Sequence, residues 1–205
     1  MINNYNEFKE YLKKLENKPK LLLHACCGPC STHTLKVLEP YFDITIYFDN
    51  SNMDTFEEFN RRLDAQKTVI NAFNDVKLVV AEYNPRSFDE AIKGHEHLGE
   101  FSSRCTCCMA LRLENTAIYA KQNAFDLFST TLSISPYKSS NIINELGYQL
   151  AQKHQVDYLY SNFKKENGYQ NSIAISKDLA LYRQDYCGCK YSKKEHEEKL
   201  NGNKD

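Results

Sequence analysis

The sequence predicts an α/β fold in which helices cover both faces of an open, mostly parallel sheet. Short apolar segments alternate along the chain with longer amphipathic ones, which is the pattern of repeated strand–helix units. The chain has 205 residues, of which 41% are hydrophobic and 26% are charged. This composition is typical of a globular protein with a real core, so we expect residues 1–205 to form a single domain.

The first elements of the chain follow simple local signals. Residues 1–18 are predicted to hold an N-terminal amphipathic helix. Its apolar face consists of Tyr5, Phe8, Leu12 and Leu15. The next run, "KLLLHA", is short, apolar and bounded by a turn, as in a buried strand. Pro29 in "CCGPC" then suits the first turn of a helix that ends near Leu38.

The remaining elements alternate in the same way. Further strands are predicted in "YFDITIYFDN", "VKLVVAEY", "FDLFSTTLS" and, as a short fifth strand, "DYLYSNF". Helices are predicted over residues 53–74, 139–155 and 172–184. Residues 86–125 are predicted to form two helices, one before a loop at 94–99 and one that begins at about Thr106. The tail at 190–205, "KYSKKEHEEKLNGNKD", is highly charged and is expected to fray.

This order of elements predicts where a ligand would bind. Ligands of open parallel sheets bind at the carboxyl ends of the strands, near the point where the strand order reverses. "HACCGPC" follows the first strand and "TTLSISPYK" follows the fourth. We therefore expect both segments to lie along the same rim of the sheet.

Charge and hydropathy restrict the expected cellular location and the expected classes of binding partner. No apolar run approaches the roughly 20 residues that a membrane span needs. The first 20 residues are polar and lack the apolar core of a signal peptide. We therefore expect a cytoplasmic protein with no membrane partner. The formal net charge of −1 gives no global sign of nucleic-acid binding, although it does not exclude a local basic face.

Eight cysteines are the main anomaly of the composition. They form three tight groups: Cys26, Cys27 and Cys30; Cys105, Cys107 and Cys108; and Cys187 and Cys189. Structural disulfides join distant segments and do not require adjacent thiols within each segment. In an intracellular chain of this length, such grouping favours metal binding or redox chemistry at one shared site.

The spacing of the cysteines leaves several chemistries open. Two C-x-x-C units, Cys27–Cys30 and Cys105–Cys108, suit either a zinc site or an iron–sulfur cluster. Cys107 is predicted to be a bystander, because adjacent side chains on a helix diverge by about 100°. A thioredoxin-like motif would need only two cysteines. The surplus therefore suggests a metallocofactor together with a second metal or a dithiol relay.

The last group has its own signal. Gly188 separates Cys187 from Cys189 and permits a tight turn. The two sulfurs could meet a single metal, or they could close a strained and easily reduced disulfide. Two other function classes remain open on residues alone: a zinc-stabilised RNA-binding module, and a thiol–disulfide oxidoreductase that needs no metal.

Five segments together resemble the QueH family of epoxyqueuosine reductases. They are "LLLHACCGPCS", "RCTCCMALRL", "TTLSISPYKS", "SNFKKENGYQNSI" and "LYRQDYCGC". They span about residues 20–190 in order. The resemblance implies a fold like that of the adenine-nucleotide α-hydrolases (the HUP class, Rossmann-like). It also implies the last step of queuosine synthesis, in which the epoxide of epoxyqueuosine is reduced to an alkene without cobalamin.

The resemblance also implies cofactors and partners. Members carry a [4Fe-4S] cluster with a further metal ion or redox thiols nearby. The implied cluster ligands are Cys26, Cys27, Cys105 and Cys108. Cys187 and Cys189 are the implied redox pair or ligands of a second iron or other metal ion. Cys30 also matches the pattern, with its role open.

The implied reaction needs a substrate, electrons and protons. The substrate is tRNA that carries epoxyqueuosine at the wobble position, and the sequence does not name the electron donor. His24 and Tyr186 are the candidate proton donors. Lys138, after the fourth strand, is placed for a backbone phosphate of the RNA.

Overall fold

A five-stranded, all-parallel sheet forms the centre of the computed structural model, which describes residues 2–202. Its strands are β1 (Lys20–His24), β2 (Asp43–Phe48), β3 (Lys77–Val80), β4 (Leu127–Thr130) and β5 (Asp157–Tyr158). They lie in the order β3-β2-β1-β4-β5. The predicted α/β class with a parallel sheet is therefore confirmed.

Eight α-helices surround the sheet within residues 2–202. They are α1 (Tyr5–Lys13), α2 (Gly28–Leu38), α3 (Phe56–Ile70), α4 (Pro85–Ala91), α5 (Ser103–Gln122), α6 (Ser140–His154), α7 (Gly168–Asp178) and α8 (Lys190–Gly202). None of these helices is both long and apolar enough to cross a membrane.

Both faces of the central strand are buried. Leu21 and Leu23 of β1 pack into a core with α1, α2 and the C-terminal end of α3, whereas Leu22 packs into a second core with α5 and α6. Successive side chains of a strand point to opposite faces, so a run of apolar residues requires a cover on each side. This explains why "KLLLH" shows no polar alternation.

The carboxyl ends of β1 and β4 meet where the strand order reverses. His24 is paired with Thr130 across the two strands. From this point the chain enters α2 on one side and a short 3-10 helix, Thr131–Ile134, on the other. The two segments expected to share a rim are therefore neighbours, as a switch point in a parallel sheet requires.

Gly28 brings α2 close to α3. A Cβ at this position would lie 2.5 Å from the carbonyl oxygen of Ala65, inside the contact distance of real side chains. The start of α2 can thus approach the backbone of α3 only with glycine at this position. The segment "CCGPC" is fixed against α3 for that reason.

Several elements differ in extent from the sequence prediction. The fourth strand ends at Thr130 and continues as the 3-10 helix, and β5 has only two residues of the predicted "DYLYSNF". The last predicted helix begins earlier, at Gly168, and ends at Asp178. Beyond β5, Asn144 of α6 holds Ser161 through two hydrogen bonds of 2.8 and 2.9 Å, which turns the chain away from the sheet.

The C-terminal segment is a helix where a frayed tail was expected. Two ion pairs hold α8 against the domain: Glu195 contacts Arg104 at 2.7 Å, and Lys193 contacts Asp54 at 2.8 Å. Both partners lie far away in sequence, so the local composition could not reveal them. The last part of the predicted tail, 203–205, lies outside the described residues.

Candidate metal centre and active-site cavity

A cavity of about 600 Å³ opens at the carboxyl edge of the sheet. It is lined by the N-terminal ends of α2 and α5, the segment after the 3-10 helix and the segment that leads into α8. Six cysteines line it: Cys26, Cys30, Cys105, Cys108, Cys187 and Cys189. The three cysteine groups therefore converge on one space, and all eight cysteines are free thiols.

The first thiol group surrounds the start of α2. The sulfurs of Cys26 and Cys27 are 3.7 Å apart, and Cys27 Sγ donates to Cys30 Sγ at 3.1 Å. Cys27 is the residue that precedes the helix, with extended backbone, and Pro29 lies in the first turn. Within residues 2–202 this is the one group of three or more cysteine, histidine or carboxylate ligands that lie within 4.8 Å of one another.

Hydrogen bonds among these three thiols shift their pKa values in opposite directions. Hydrogen bonds from Cys27 and Cys30 hold the pKa of the Cys26 thiol well below its usual range. The same hydrogen bonding and burial raise the pKa of Cys27 to about 12, and the pKa of Cys30 is also raised. The thiolate is the form that binds metals, so the lowered pKa of Cys26 favours its ligand form.

The second thiol group lies on α5, close to Cys187 and Cys189 of the segment that precedes α8. Cys105 and Cys108 lie one helical turn apart on α5. Burial raises the pKa of Cys108 to about 12, and the nearby charges of Cys187, Cys189 and Cys105 add to this effect. Cys108 and Cys189 also pack in one apolar cluster. Cys107 does not line the cavity.

A tight turn presents Cys187 and Cys189. Gly188 between them has φ +127°, a conformation that side chains rarely adopt. Its N–H donates to Ser192 Oγ at 3.3 Å, and its carbonyl accepts from the Asp54 N–H at 2.9 Å. Glycine is therefore required here, and the turn is held from two sides.

Arg62 is a residue that the sequence analysis missed. Its side chain is only 1% exposed, and its Nε donates to Glu58 Oε1 at 2.6 Å. The guanidinium also donates to the carbonyls of Cys187 at 3.0 Å and Tyr186 at 3.3 Å. Arg62 thus fixes the turn of the third cysteine group from α3. Only the Glu58–Arg62 spacing of four residues gives a signal for it in the sequence.

Two cations face the thiols, the half-buried Lys138 and the buried Arg112. Lys138 Nζ donates to Cys187 Sγ at 3.6 Å, and the charge of Cys187 raises the pKa of this lysine against the effect of burial. Arg112 is buried, and its Nε donates to the Cys108 carbonyl at 3.2 Å. Lys138 was predicted to contact an RNA phosphate; its side chain turns to the Cys187 thiol in the cavity, and the phosphate contact stays a prediction.

The two predicted proton donors have other partners. His24 is fully buried and does not line the cavity. Its ring nitrogens contact Thr130 Oγ1 at 2.9 Å and the Asp49 carbonyl at 3.0 Å, so the ring donates to the carbonyl from Nε2. Burial lowers the pKa of His24 to about 4. Tyr186 does line the cavity, but its hydroxyl donates to Asp54 Oδ1 at 2.8 Å.

Asn52 is a second residue that the sequence analysis missed. Its side chain lines the cavity and is buried, yet neither amide atom has a hydrogen-bond partner in the part of the chain that the structure describes. Buried polar atoms normally have partners. An amide in this state can bind a polar group of a molecule that enters the cavity. No motif surrounds Asn52, so the sequence carried no signal for it.

The residues present fit a metallocofactor bound by thiolates. Cysteine thiolate is the standard ligand of iron–sulfur clusters, and thiols of α5 and of the start of α2 line the cavity. Cys27 is fully buried and reaches this site only through its contacts with Cys26 and Cys30. Arg112 and Lys138 supply positive charge that offsets the negative charge of several thiolates. Cys105 and Cys108 lie outside the 4.8 Å group of the first three cysteines. A cluster is wider than a single ion, so its ligands need not touch one another.

Comparisons with known proteins agree in one description. The family model "Epoxyqueuosine reductase QueH" matches residues 21–195. A protein of that name from Streptococcus pyogenes serotype M1 is 38% identical, covering 93% of this chain and 78% of the relative. A namesake from Staphylococcus aureus is 39% identical over 94% of this chain and 86% of the relative. A third, from Staphylococcus epidermidis, is 42% identical over 85% of this chain and 76% of the relative.

Proposed function

The chain belongs to the QueH family of epoxyqueuosine reductases, and on this premise we propose that its thiol-lined cavity reduces the epoxide of epoxyqueuosine in tRNA. The product is queuosine, so the reaction is the last step of queuosine biosynthesis. The epoxide takes up two electrons and two protons, both of its C–O bonds break, and an alkene and one water molecule result. The convergence of three cysteine groups on one cavity is the observation that supports this assignment.

The proposal includes a [4Fe-4S] cluster with Cys26, Cys27, Cys105 and Cys108 as its ligands. When bound, the cluster would supply single electrons from a donor that is still to be identified. Cys26 and Cys27 approach from α2, whereas Cys105 and Cys108 approach from α5. Support comes from the free thiols, the lowered pKa of Cys26 and the two cations that face the thiols, Lys138 and Arg112.

Cys187 and Cys189 have a separate role in the proposal. As a redox pair, two thiols that close a disulfide release two electrons and two protons, which balances the reduction of one epoxide. As ligands of a further iron or other metal ion, they would place a Lewis acid beside the epoxide oxygen. Gly188 gives their turn the freedom that either role needs.

Lys138 takes the place of His24 and Tyr186 in this proposal. Its ammonium group lies beside Cys187 and faces the cavity, where a donor can stabilise the negative charge that develops on the departing oxygen. The wobble position of the substrate and a cytoplasmic location complete the proposal. Both accord with an enzyme that modifies tRNA.

The function is tested with anaerobically purified protein. We expect broad visible absorbance that dithionite bleaches, and reduced protein should convert epoxyqueuosine to queuosine in nucleosides that are released from treated tRNA and separated by liquid chromatography. A colourless protein with about one zinc per chain would instead indicate a zinc-stabilised RNA-binding module. Thiol–disulfide exchange by metal-free protein, without epoxide reduction, would indicate an oxidoreductase of the thiol type.

Lys138→Met is expected to lower kcat about 100- to 1000-fold, which is the usual effect of removing one oxyanion donor. The visible absorbance of the cofactor should persist, because Lys138 is not a proposed ligand. Lys165→Met is the matched control, since Lys165 is exposed and does not line the cavity. Equal kcat values for the two variants would remove Lys138 from the reaction.

A further inference from the structure

Two exposed aromatic rings lie together at the mouth of the cavity. Phe101 precedes α5 and is 66% exposed, and Tyr137 precedes α6 and is 69% exposed. Their ring centroids are 6.3 Å apart, and their planes are inclined by 30°. Both residues line the cavity. We call this pair the mouth platform.

The mouth platform belongs to a cluster of exposed apolar side chains and is not a chance pair of surface residues. Single exposed apolar side chains are normal on protein surfaces. Six large apolar side chains are exposed within residues 2–202: Phe56, Val80, Phe101, Tyr137, Ile142 and Leu200. Three of them, Phe101, Tyr137 and Ile142, line this one cavity. Apolar surface is therefore concentrated where the substrate must enter.

The backbone of Phe101 is held in an unfavourable conformation. Its φ is +66°, a left-handed value that is uncommon for a bulky residue. Glu195 of α8 holds the segment on both sides, because it accepts from the Glu100 N–H at 3.1 Å and from Arg104 Nη2 at 2.7 Å. Strain that is maintained by outside contacts is typical of functional sites.

The same segment contacts the proposed cluster ligands. The carbonyl of Ser102, the residue after Phe101, accepts from the Cys105 N–H at 3.0 Å, and Phe101 and Cys105 both line the cavity. The mouth platform is therefore coupled in position to the thiol groups of the cavity. A molecule that rests on the two rings lies directly above the site where reduction is proposed.

We propose that the mouth platform stacks an unpaired base of the tRNA anticodon loop, next to the nucleotide that enters the cavity. This inference rests on the proposed function. A nucleoside that undergoes chemistry in a pocket must leave its stack, which costs a few kcal/mol. Unstacked loop bases are commonly held on aromatic side chains, so the two rings replace part of the lost stacking.

RNA suits this surface better than a protein partner does. The apolar rings adjoin a cavity that also contains thiols and charged side chains. The cationic side chains Arg183 and Lys199 line it as well and can contact phosphates, and Lys199 lies 3.9 Å from Glu100. A stable protein interface would need a broad surface of about 1,200–2,000 Å² in total. Two rings and two cations around an opening instead match a single-stranded loop with one base turned inward.

The experiment uses variants that distinguish the effect of the aromatic ring from the effect of an apolar side chain. Phe101→Leu and Tyr137→Leu remove the ring, whereas Phe101→Tyr and Tyr137→Phe keep it. Phe56→Leu is the matched control, because Phe56 is exposed but does not line the cavity. The probe is an anticodon stem-loop that carries epoxyqueuosine, with fluorescent 2-aminopurine at the neighbouring loop position. Anisotropy gives its Kd, and quenching of the 2-aminopurine reports stacking.

Each leucine variant is expected to weaken binding about 5- to 150-fold and to reduce the quenching, which corresponds to the loss of one base–aromatic stack. The ring-keeping variants and Phe56→Leu should bind like the wild type, and all variants should keep the visible absorbance of the cofactor. Leucine variants with wild-type Kd and quenching would overturn the proposal. If they lose binding while wild-type protein fails to reduce epoxyqueuosine, the platform stands and the assigned reaction does not.

Discussion

Replacing Cys108 by serine is expected to remove the visible absorbance of the proposed iron–sulfur cluster and to lower turnover at least about 100-fold. Cys108 is buried, lines the cavity and lies one turn from Cys105 on α5. Substitution of groups that merely support a metal ligand costs about 10- to 100-fold, so the loss of a ligand should reach or exceed the upper value. Anaerobic absorbance spectra, iron content and nucleoside analysis measure the three effects.

Cys107→Ser is the matched control for this prediction. It makes the same chemical change on the neighbouring residue of the same helix, but Cys107 does not line the cavity. We expect this variant to keep both the absorbance and the turnover. The reverse outcome, with loss in Cys107→Ser and retention in Cys108→Ser, would show that α5 presents a different face to the cofactor.

Two further serine variants distinguish the possible ligand sets. Cys30 belongs to the closest thiol group but not to the proposed four ligands, so Cys30→Ser should retain the absorbance. Its loss would place the cluster on the three thiols around the start of α2. Cys187→Ser should keep the absorbance and abolish turnover, and the loss of both would make Cys187 a cluster ligand.

The sheet and most helices could be predicted because their signals are local. The apolar run of β1, Pro29 at the start of α2 and the helical spacing of Phe8 and Leu12 each report the conformation of their own neighbourhood. The α8 helix could not be predicted, since ion pairs from Glu195 to Arg104 and from Lys193 to Asp54 hold it in place. Its own sequence is charged on all sides and lacks an apolar face.

Strand β5 shows the opposite error, in which an apolar segment predicts too much. Leu159, Tyr160 and Phe163 are buried, and this burial explains the strand-like composition of "DYLYSNF". The Leu159 N–H still bonds to the Phe128 carbonyl at 2.9 Å, but Asn144 then holds Ser161 away from the ladder. Apolar composition reports burial and does not by itself report sheet pairing.

The site residues also divide into those that the sequence identifies and those that only the folded chain reveals. Cysteine is rare enough for its spacing to identify all three thiol groups, whereas arginine, asparagine and phenylalanine are common residues whose positions carry no such signal. Arg62 reaches Cys187 over 125 positions of sequence, and only the folded chain shows this contact. Lys138 was noticed at the sequence level, but the direction of its side chain depends on Cys187, which the chain delivers from another element.

Arg62→Leu is expected to lower the free energy of unfolding by about 3–5 kcal/mol, because it leaves the buried Glu58 carboxylate without its cationic partner and with the Tyr182 hydroxyl as its remaining donor. The lost hydrogen bonds to the carbonyls of Cys187 and Tyr186 act in the same direction. Urea denaturation under anaerobic, reducing conditions measures the change. Lys67→Met is the matched control on α3, since the Lys67–Asp64 ion pair is exposed and its loss should cost less than about 1 kcal/mol.

A double variant separates the unpaired charge from the lost packing. In Glu58→Leu/Arg62→Leu no charge of the buried pair remains, so the double variant should be less destabilised than the sum of the two single variants. The carbonyls of the Cys187 turn would still lack their donor in that protein. We therefore expect stability to recover in part while turnover stays low. Strict additivity of the single effects, or a loss in Arg62→Leu no larger than in Lys67→Met, would show that this ion pair does not hold the turn in place.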